Sequence, residues 1–288
     1  MLARNNTAWM WASLLAVCAV VIVGLATLRA AGGATAATPL YAPHPDDPSK
    51  QVEYFLDAPA GAGPWPTVVL LHGHQAPLRP GGRVFVDWGV LKGLAERGYL
   101  AVAVSQPGYG DSSGPADFCG PWTQHAVSGV IAKLRADGLA SPTRLLIEGI
   151  SRGAMTAGLI AGRDPSVSGL VLISGIYDLP SYAAAAPRRG IQRDIVDNLT
   201  AETGGGPEAL EARSVLRLAD QIKAEVLILA GAEDERTDPD QARTLAEQIE
   251  RAGGHAQAIV FPDAGHQIPV DERNVTIDPF MDRVLGGP

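Results

Sequence analysis

Six short apolar runs, separated by stretches with helical patterning, constrain this chain more than any other feature. Residues 66–71, 99–104, 144–148, 167–174, 225–230 and 256–261 are nearly continuous in Val, Ile, Leu and Ala. A strand buried on both faces reads this way, whereas a strand with one wet face alternates. Between the runs, Val84, Trp88, Leu91 and Ala95 recur at helical spacing, and Val127, Val130, Ile131 and Leu134 follow i, i+3, i+4, i+7. Asp238-Pro239 supplies a helix cap with proline at the first helical position, ahead of Ala242, Leu245, Ala246 and Ile249 on one face. Strands alternating with helices imply an α/β fold: a doubly wound, mostly parallel sheet with helices on both faces. One segment, 177–212, is too long for an ordinary connection and carries Gly204-Gly205-Gly206. It is expected to form a short, partly helical cap.

The 288 residues suit one such domain once the N-terminal part is set aside. Arg4 precedes an uncharged stretch, 5–28, which ends at Arg29; Ala34-Thr35-Ala36 fits a small-residue cleavage site. Residues 7–28 are long enough to span a bilayer. Residues 1–36 are therefore read as a signal peptide or an uncleaved membrane anchor, placing the catalytic part outside the cytoplasm, secreted or membrane-attached. Residues 37–50 read as a linker and 51–288 as the catalytic domain. The formal charge of −8 disfavours nucleic acid and anionic surfaces as partners. Only Cys18 and Cys119 are present, so loss of the leader leaves no intramolecular disulfide. Cys119 reads as a packed small hydrophobe rather than a nucleophile.

Chemistry enters at Gly149-Ile150-Ser151-Arg152-Gly153, which follows the apolar Leu145-Leu146-Ile147 and precedes Ala154-Met155-Thr156-Ala157-Gly158. That order is strand, sharp turn, helix. A serine at such a turn is exposed and strained, flanking glycines allow strand and helix to cross closely, and the helix start offers N–H groups to developing negative charge. A serine hydroxyl is a weak nucleophile without an imidazole base, and the imidazole needs a carboxylate to hold its tautomer. In doubly wound sheets the partners gather at the carboxyl ends of the strands. The run 256–261 is followed by Pro262-Asp263-Ala264-Gly265-His266, and of the six histidines only His266 follows the final strand. The run 225–230 is followed by Gly231-Ala232-Glu233-Asp234. Asp234 is favoured as the acid; Asp238 is explained as a helix cap, and Glu233 and Glu235 as solvated.

The expected oxyanion donors are the N–H groups of Arg152, after the nucleophile, and of His74, in the loop after 66–71, with Gln75 as the second choice. Gln75 and Tyr109 are candidate substrate-binding residues. His72 is expected to orient its loop; a metal on His72 and His74 lacks further ligands, and no metal or organic cofactor is expected. Arg188, Arg189 and Arg193 could meet an anionic substrate, with a solvated patch as the plainer reading. Ala183 to Ala186 and Trp122 could line an apolar pocket or simply pack.

Taken together, His72-Gly73, Gly108-Tyr109-Gly110-Asp111-Ser112, Gly149-Ile150-Ser151-Arg152-Gly153, Gly231-Ala232-Glu233-Asp234 and Gly265-His266 resemble the α/β-hydrolase superfamily. The stretch from Ala212-Arg213-Ser214 through Ala252-Gly253-Gly254 is similar to dienelactone-hydrolase-like esterases and to the catalytic domain of prolyl-oligopeptidase-type peptidases. The resemblance implies a Ser151, Asp234, His266 triad. Those peptidases usually carry a second glycine where this chain has Ala154, and many carry an N-terminal propeller for which nothing before residue 50 suffices; both points favour a compact esterase. The expectation is a serine hydrolase that cleaves carboxylic esters through an acyl-enzyme. The alternatives are an oligopeptidase or aminopeptidase acting on short peptides, and a non-catalytic binding protein on the same fold.

Overall fold

The computed structural model describes residues 37–187 and 189–287. The expected leader or anchor, with Cys18, and Arg188 of the arginine group lie outside the described residues. Among the described residues no helix is long and apolar enough to cross a membrane.

Eight strands form one sheet: β1 (Leu40–His44), β2 (Asp47–Asp57), β3 (Trp65–Leu71), β4 (Leu100–Val104), β5 (Ala140–Ile150), β6 (Gly169–Ile173), β7 (Glu225–Gly231) and β8 (His255–Phe261). Their spatial order is β1-β2-β4-β3-β5-β6-β7-β8. From β4 to β8 every pairing is parallel, while β1–β2 and β2–β4 are antiparallel. All six apolar runs are strands, and the sheet is doubly wound as expected. Strands β3, β4 and β6 bury nearly every residue, the pattern of strands covered on both faces.

Among the described residues there are nine α-helices. α1 (Arg83–Asp87), α2 (Val90–Glu96) and α9 (Val270–Leu285) pack Phe85, Leu91, Leu94, Ile277, Met281 and Leu285 on one face. α3 (Pro121–Ala136), α4 (Arg152–Ala161) and α8 (Pro239–Arg251) cover the other, where Val127, Val130, Ile131, Leu134, Leu245 and Ile249 are buried. The chain leaves β3 toward β4 and then crosses back to β5, so the strand order reverses at β3/β5. The crevice at that reversal is where a doubly wound sheet binds ligands. Asp238 caps α8 by accepting from the Asp240 N–H at 2.9 Å.

Two expectations are corrected here. The supposed linker 37–50 forms β1 and the start of β2. Ala42 and His44 are buried against α3, where the His44 ring stacks on Trp122 at 3.5 Å. Pro43 is tolerated because β1 is an edge strand, and residues 48–51 of β2 are exposed, which gave the segment its polar look. The helix read through Val84, Trp88, Leu91 and Ala95 is two helices broken at Gly89, whose φ is 72°; Trp88 lies at the break, exposed. Of the two readings left open for Trp122 and Ala183 to Ala186, packing is the one that fits, since none of them lines the active-site cavity.

The insertion is helical, as expected: α5 (Leu179–Ala185), α6 (Ile191–Thr203) and α7 (Pro207–Glu211). The buried Gln241 of α8 holds its start, accepting from the N–H groups of Tyr177 and Asp178 and donating to the Asp178 carbonyl. Tyr182 of α5 donates to the Arg236 carbonyl at 2.6 Å, tying the cap to the loop after β7.

Candidate active site

Ser151 stands between β5 and α4 with φ 55° and ψ −117°, a conformation that L-residues rarely adopt. Its N–H donates to the Ile173 carbonyl of β6 at 2.7 Å, which fixes the turn to the sheet. The flanking glycines are required by contact. A Cβ on Gly149 would lie 2.2 Å from the Gly153 carbonyl oxygen, and one on Gly153 would lie 2.1 Å from that of Leu71. Strand, turn and helix therefore cross as closely as backbone allows.

The loops after β7 and β8 bring the acid and the base to this turn. His266 Nε2 lies 3.1 Å from Ser151 Oγ, and its Nδ1 lies 2.8 Å from Asp234 Oδ2. Asp234 is fully covered. Its Oδ1 accepts from the N–H groups of Arg236 and Thr237 at 2.8 and 3.0 Å, and its Oδ2 accepts from the Thr237 hydroxyl at 2.6 Å. Burial alone would raise its pKa; the His266 and Thr237 hydrogen bonds outweigh it and hold the carboxyl below its ordinary value. An ionised Asp234 fixes the Nδ1–H tautomer and leaves Nε2 free to accept the serine proton.

The Arg152 N–H opens α4 and has no intrahelical acceptor. Gly73 sits against Ser151, a Cβ there falling 3.1 Å from the serine Cβ, so the loop after β3 runs beside Ser151 just before His74. His74 and Arg152 both line the cavity beside Ser151. His72 is buried and orients this loop as expected. Its Nδ1 pairs with the Gly73 carbonyl at 2.8 Å, and its Nε2 accepts from the Gln106 N–H at 3.1 Å. Burial pushes its pKa down to about 4, so it is a neutral imidazole at physiological pH.

The two residues expected to bind substrate lie elsewhere. Gln75 is not among the cavity-lining residues, and its amide is bonded to Gly81 at both ends. Tyr109 is buried behind His74, with its hydroxyl 2.9 Å from His74 Nδ1. Cys119 is buried, its S–H donating to the Arg152 carbonyl and its pKa pushed up by burial to about 11, which suits packing and not nucleophilic attack. Arg193 pairs with Asp197 along the outside of α6, and Arg189 is exposed; neither faces the cavity.

The cavity holds about 130 Å³. Phe118, Met155 and Ile176 form an apolar floor, and α6 roofs it with Ile191, Asp194, Ile195 and Asn198. That roof follows i, i+3, i+4, i+7, a spacing visible in the sequence that marks one helix face. Arg236 and Thr237 close the side next to Asp234.

Residues 91–286 match the model of the prolyl oligopeptidase family. The chain belongs to that family. Dipeptidyl aminopeptidase BIII of Pseudoxanthomonas mexicana is 26% identical over 248 residues, covering 78% of this chain and 34% of that protein. The chain thus spans about a third of that relative's length. An acylaminoacyl peptidase solved with Z-Gly-Gly-Phe-chloromethyl ketone superposes with a TM-score of 0.70 at 19% identity, over 86% of this chain and 41% of that one. A dienelactone hydrolase, designated putative, from Klebsiella pneumoniae superposes at 0.61 and 18% identity, over 88% of this chain and 99% of its own. These superpositions show the α/β-hydrolase fold. Family membership places the chain among the serine hydrolases.

Proposed function

We propose that the chain is a serine peptidase that cleaves short peptides with a free amino terminus through an acyl-enzyme. The observation that carries the peptide reading is Asp194. This exposed residue is among those lining the cavity that holds Ser151, and its carboxylate has no hydrogen bond or ion pair among the described residues. A substrate ammonium would complete it, a charge-assisted contact stronger than a neutral hydrogen bond. The name of the curated relative, a dipeptidyl aminopeptidase, agrees with this choice. On the opposite side the Arg236 guanidinium offers donors to a peptide carbonyl, and the floor suits an apolar side chain.

In this reading Ser151 Oγ attacks the peptide carbonyl carbon while its proton passes to His266 Nε2, 3.1 Å away. The negative charge on the carbonyl oxygen is met by the N–H groups of Arg152 and His74. One such donor is worth about 3 kcal/mol in the transition state. Collapse breaks the C–N bond, and the leaving amine takes the proton from Nε2. Water then attacks the acyl-enzyme with His266 again as base, and Ser151 regains its proton. Asp234 stabilises the imidazolium in both halves. The uncharged stretch 5–28 supports action outside the cytoplasm.

The same machinery cleaves carboxylic esters, and the apolar floor favours that second reading for substrates without an amine. Paired dipeptidyl-p-nitroanilides, one with a free and one with an acetylated amino terminus, test the proposal alongside p-nitrophenyl esters. The free peptide should be preferred at least tenfold in kcat/KM, and Asp194→Asn should erase the preference. Equal turnover of both anilides would remove the amine anchor, and turnover of esters alone would make the enzyme an esterase.

A further inference from the structure

The cap carries a second carboxylate that points inward. Glu202, in the last turn of α6, is mostly buried, and both of its oxygens accept from Arg152 Nη1 at 2.9 Å. Glu202 Oε2 also accepts from the N–H of Phe118 at 2.8 Å. Arg152 is itself buried, with its guanidinium stacked 4.3 Å over the Phe118 ring. The same Nη1 reaches the Tyr109 hydroxyl at 3.3 Å. That hydroxyl therefore has its proton to direct at His74 Nδ1, 2.9 Å away.

A single chain of polar contacts thus runs from the cap helix to both sides of the nucleophile. It passes through Arg152, whose backbone N–H is one oxyanion donor, and ends on His74, whose backbone N–H is the other. Among the described residues, Glu202 is the only carboxylate paired with the Arg152 guanidinium. A buried cation stripped of its partner is strongly disfavoured. If α6 moves off, Arg152 must either turn toward solvent or stay unpaired, and each outcome disturbs the first residue of α4.

Resting on the serine-hydrolase reading above, we propose that Glu202 is a positioning residue through which docking of the cap helix sets the oxyanion donors. The cap then controls transition-state stabilisation as well as covering the cavity. Its effect belongs in kcat, because the oxyanion forms only as the carbonyl is attacked. A role confined to holding Phe118 in the cavity floor would appear in KM instead.

The test uses the full chain and its Glu202→Gln variant, which keeps an acceptor for the Phe118 N–H. It reads kcat and KM on the best p-nitrophenyl ester, the affinity of an arylboronic acid that adds to Ser151 as a tetrahedral anion, and the thermal midpoint. Glu202→Gln should lower kcat ten- to a hundredfold, a part of the full loss of about 10² to 10³ for a missing donor. Boronate affinity should fall in parallel, KM should stay within threefold, and the fold should be retained. A second variant, Arg152→Met with Glu202→Leu, removes the charges together and should recover part of the lost kcat. Unchanged kcat and boronate affinity in Glu202→Gln, or a rise in KM alone, would overturn the proposal. Absence of both p-nitrophenyl ester and dipeptidyl-p-nitroanilide hydrolysis in the unmutated chain would instead overturn the serine-hydrolase reading on which it rests.

Discussion

Replacing Asp234 by asparagine tests the hydrogen-bond logic of the site with the least disturbance of its shape. Oδ1 accepts from two backbone N–H groups, at 2.8 and 3.0 Å, so the amide oxygen of the new side chain must take that place. The NH₂ group then occupies the place of Oδ2, facing the Thr237 hydroxyl and His266 Nδ1. The hydroxyl can turn to accept. Nδ1 can accept only if the ring proton sits on Nε2, where it points at Ser151 Oγ and prevents Nε2 from acting as base. Loss of the correct tautomer in a Ser-His-Asp site costs about 10⁴ in kcat, which is about 5.5 kcal/mol of barrier at about 1.4 kcal/mol per tenfold. The backbone bonds survive, so the loss of folding stability should stay near 1 kcal/mol. Saturating kinetics on a dipeptidyl anilide or an activated ester, with denaturant unfolding of both proteins, gives the two numbers separately. A folded Asp234→Asn protein that loses less than tenfold in kcat would refute the assignment of Asp234 as the orienting acid.

Other consequences are equally direct. In Gly153→Ala the new Cβ falls 2.1 Å from the Leu71 carbonyl oxygen, with backbone on both sides. Destabilisation at or above the usual overpacking range of about 1–3 kcal/mol is expected by urea unfolding. Gly93→Ala, on the exposed side of α2 with nothing within 4 Å, should raise stability by about 0.5–1 kcal/mol. The fall of the His72 pKa from 6.5 to about 4 means that the unfolded chain binds a proton at a pH where the folded one does not. Stability should therefore decline as pH drops from 6.5 and level off near 4, by about 3 kcal/mol in all. Denaturant midpoints measured from pH 7.5 to 4 should show a flatter slope in His72→Asn; parallel slopes would contradict a buried neutral imidazole. Asp194→Asn should lower kcat/KM for free-amine peptides while leaving acetylated ones unchanged, as compared by initial rates.

The parallel half of the sheet was legible because its strands are buried on both faces, which writes an unbroken apolar run into the sequence. The antiparallel edge was not: β1 holds only Ala42 and His44 inward, and β2 begins in solvent, so the segment shares its composition with a linker. α9 carries exposed Val270 and Val275 and an internal Pro279, which blur its apolar stripe. Ser151, Asp234 and His266 could be found because strand ends fix where such groups must stand. Gln75 and Tyr109 could not be assigned correctly, because facing the cavity rather than standing behind it depends on side-chain direction, which loop position does not encode. Asp194 and Glu202 went unassigned for a related reason. The helical period of α6 is visible, but which face meets the site depends on how the cap docks.

The most direct test is turnover of free-amine dipeptidyl-p-nitroanilides by the full chain and by its Ser151→Ala variant, each shown to be folded. A serine peptidase built on Ser151 should release p-nitroaniline with the serine present and lose at least a thousandfold of that rate without it. Anilide hydrolysis that survives Ser151→Ala at the unmutated rate would contradict the assignment of Ser151 as nucleophile.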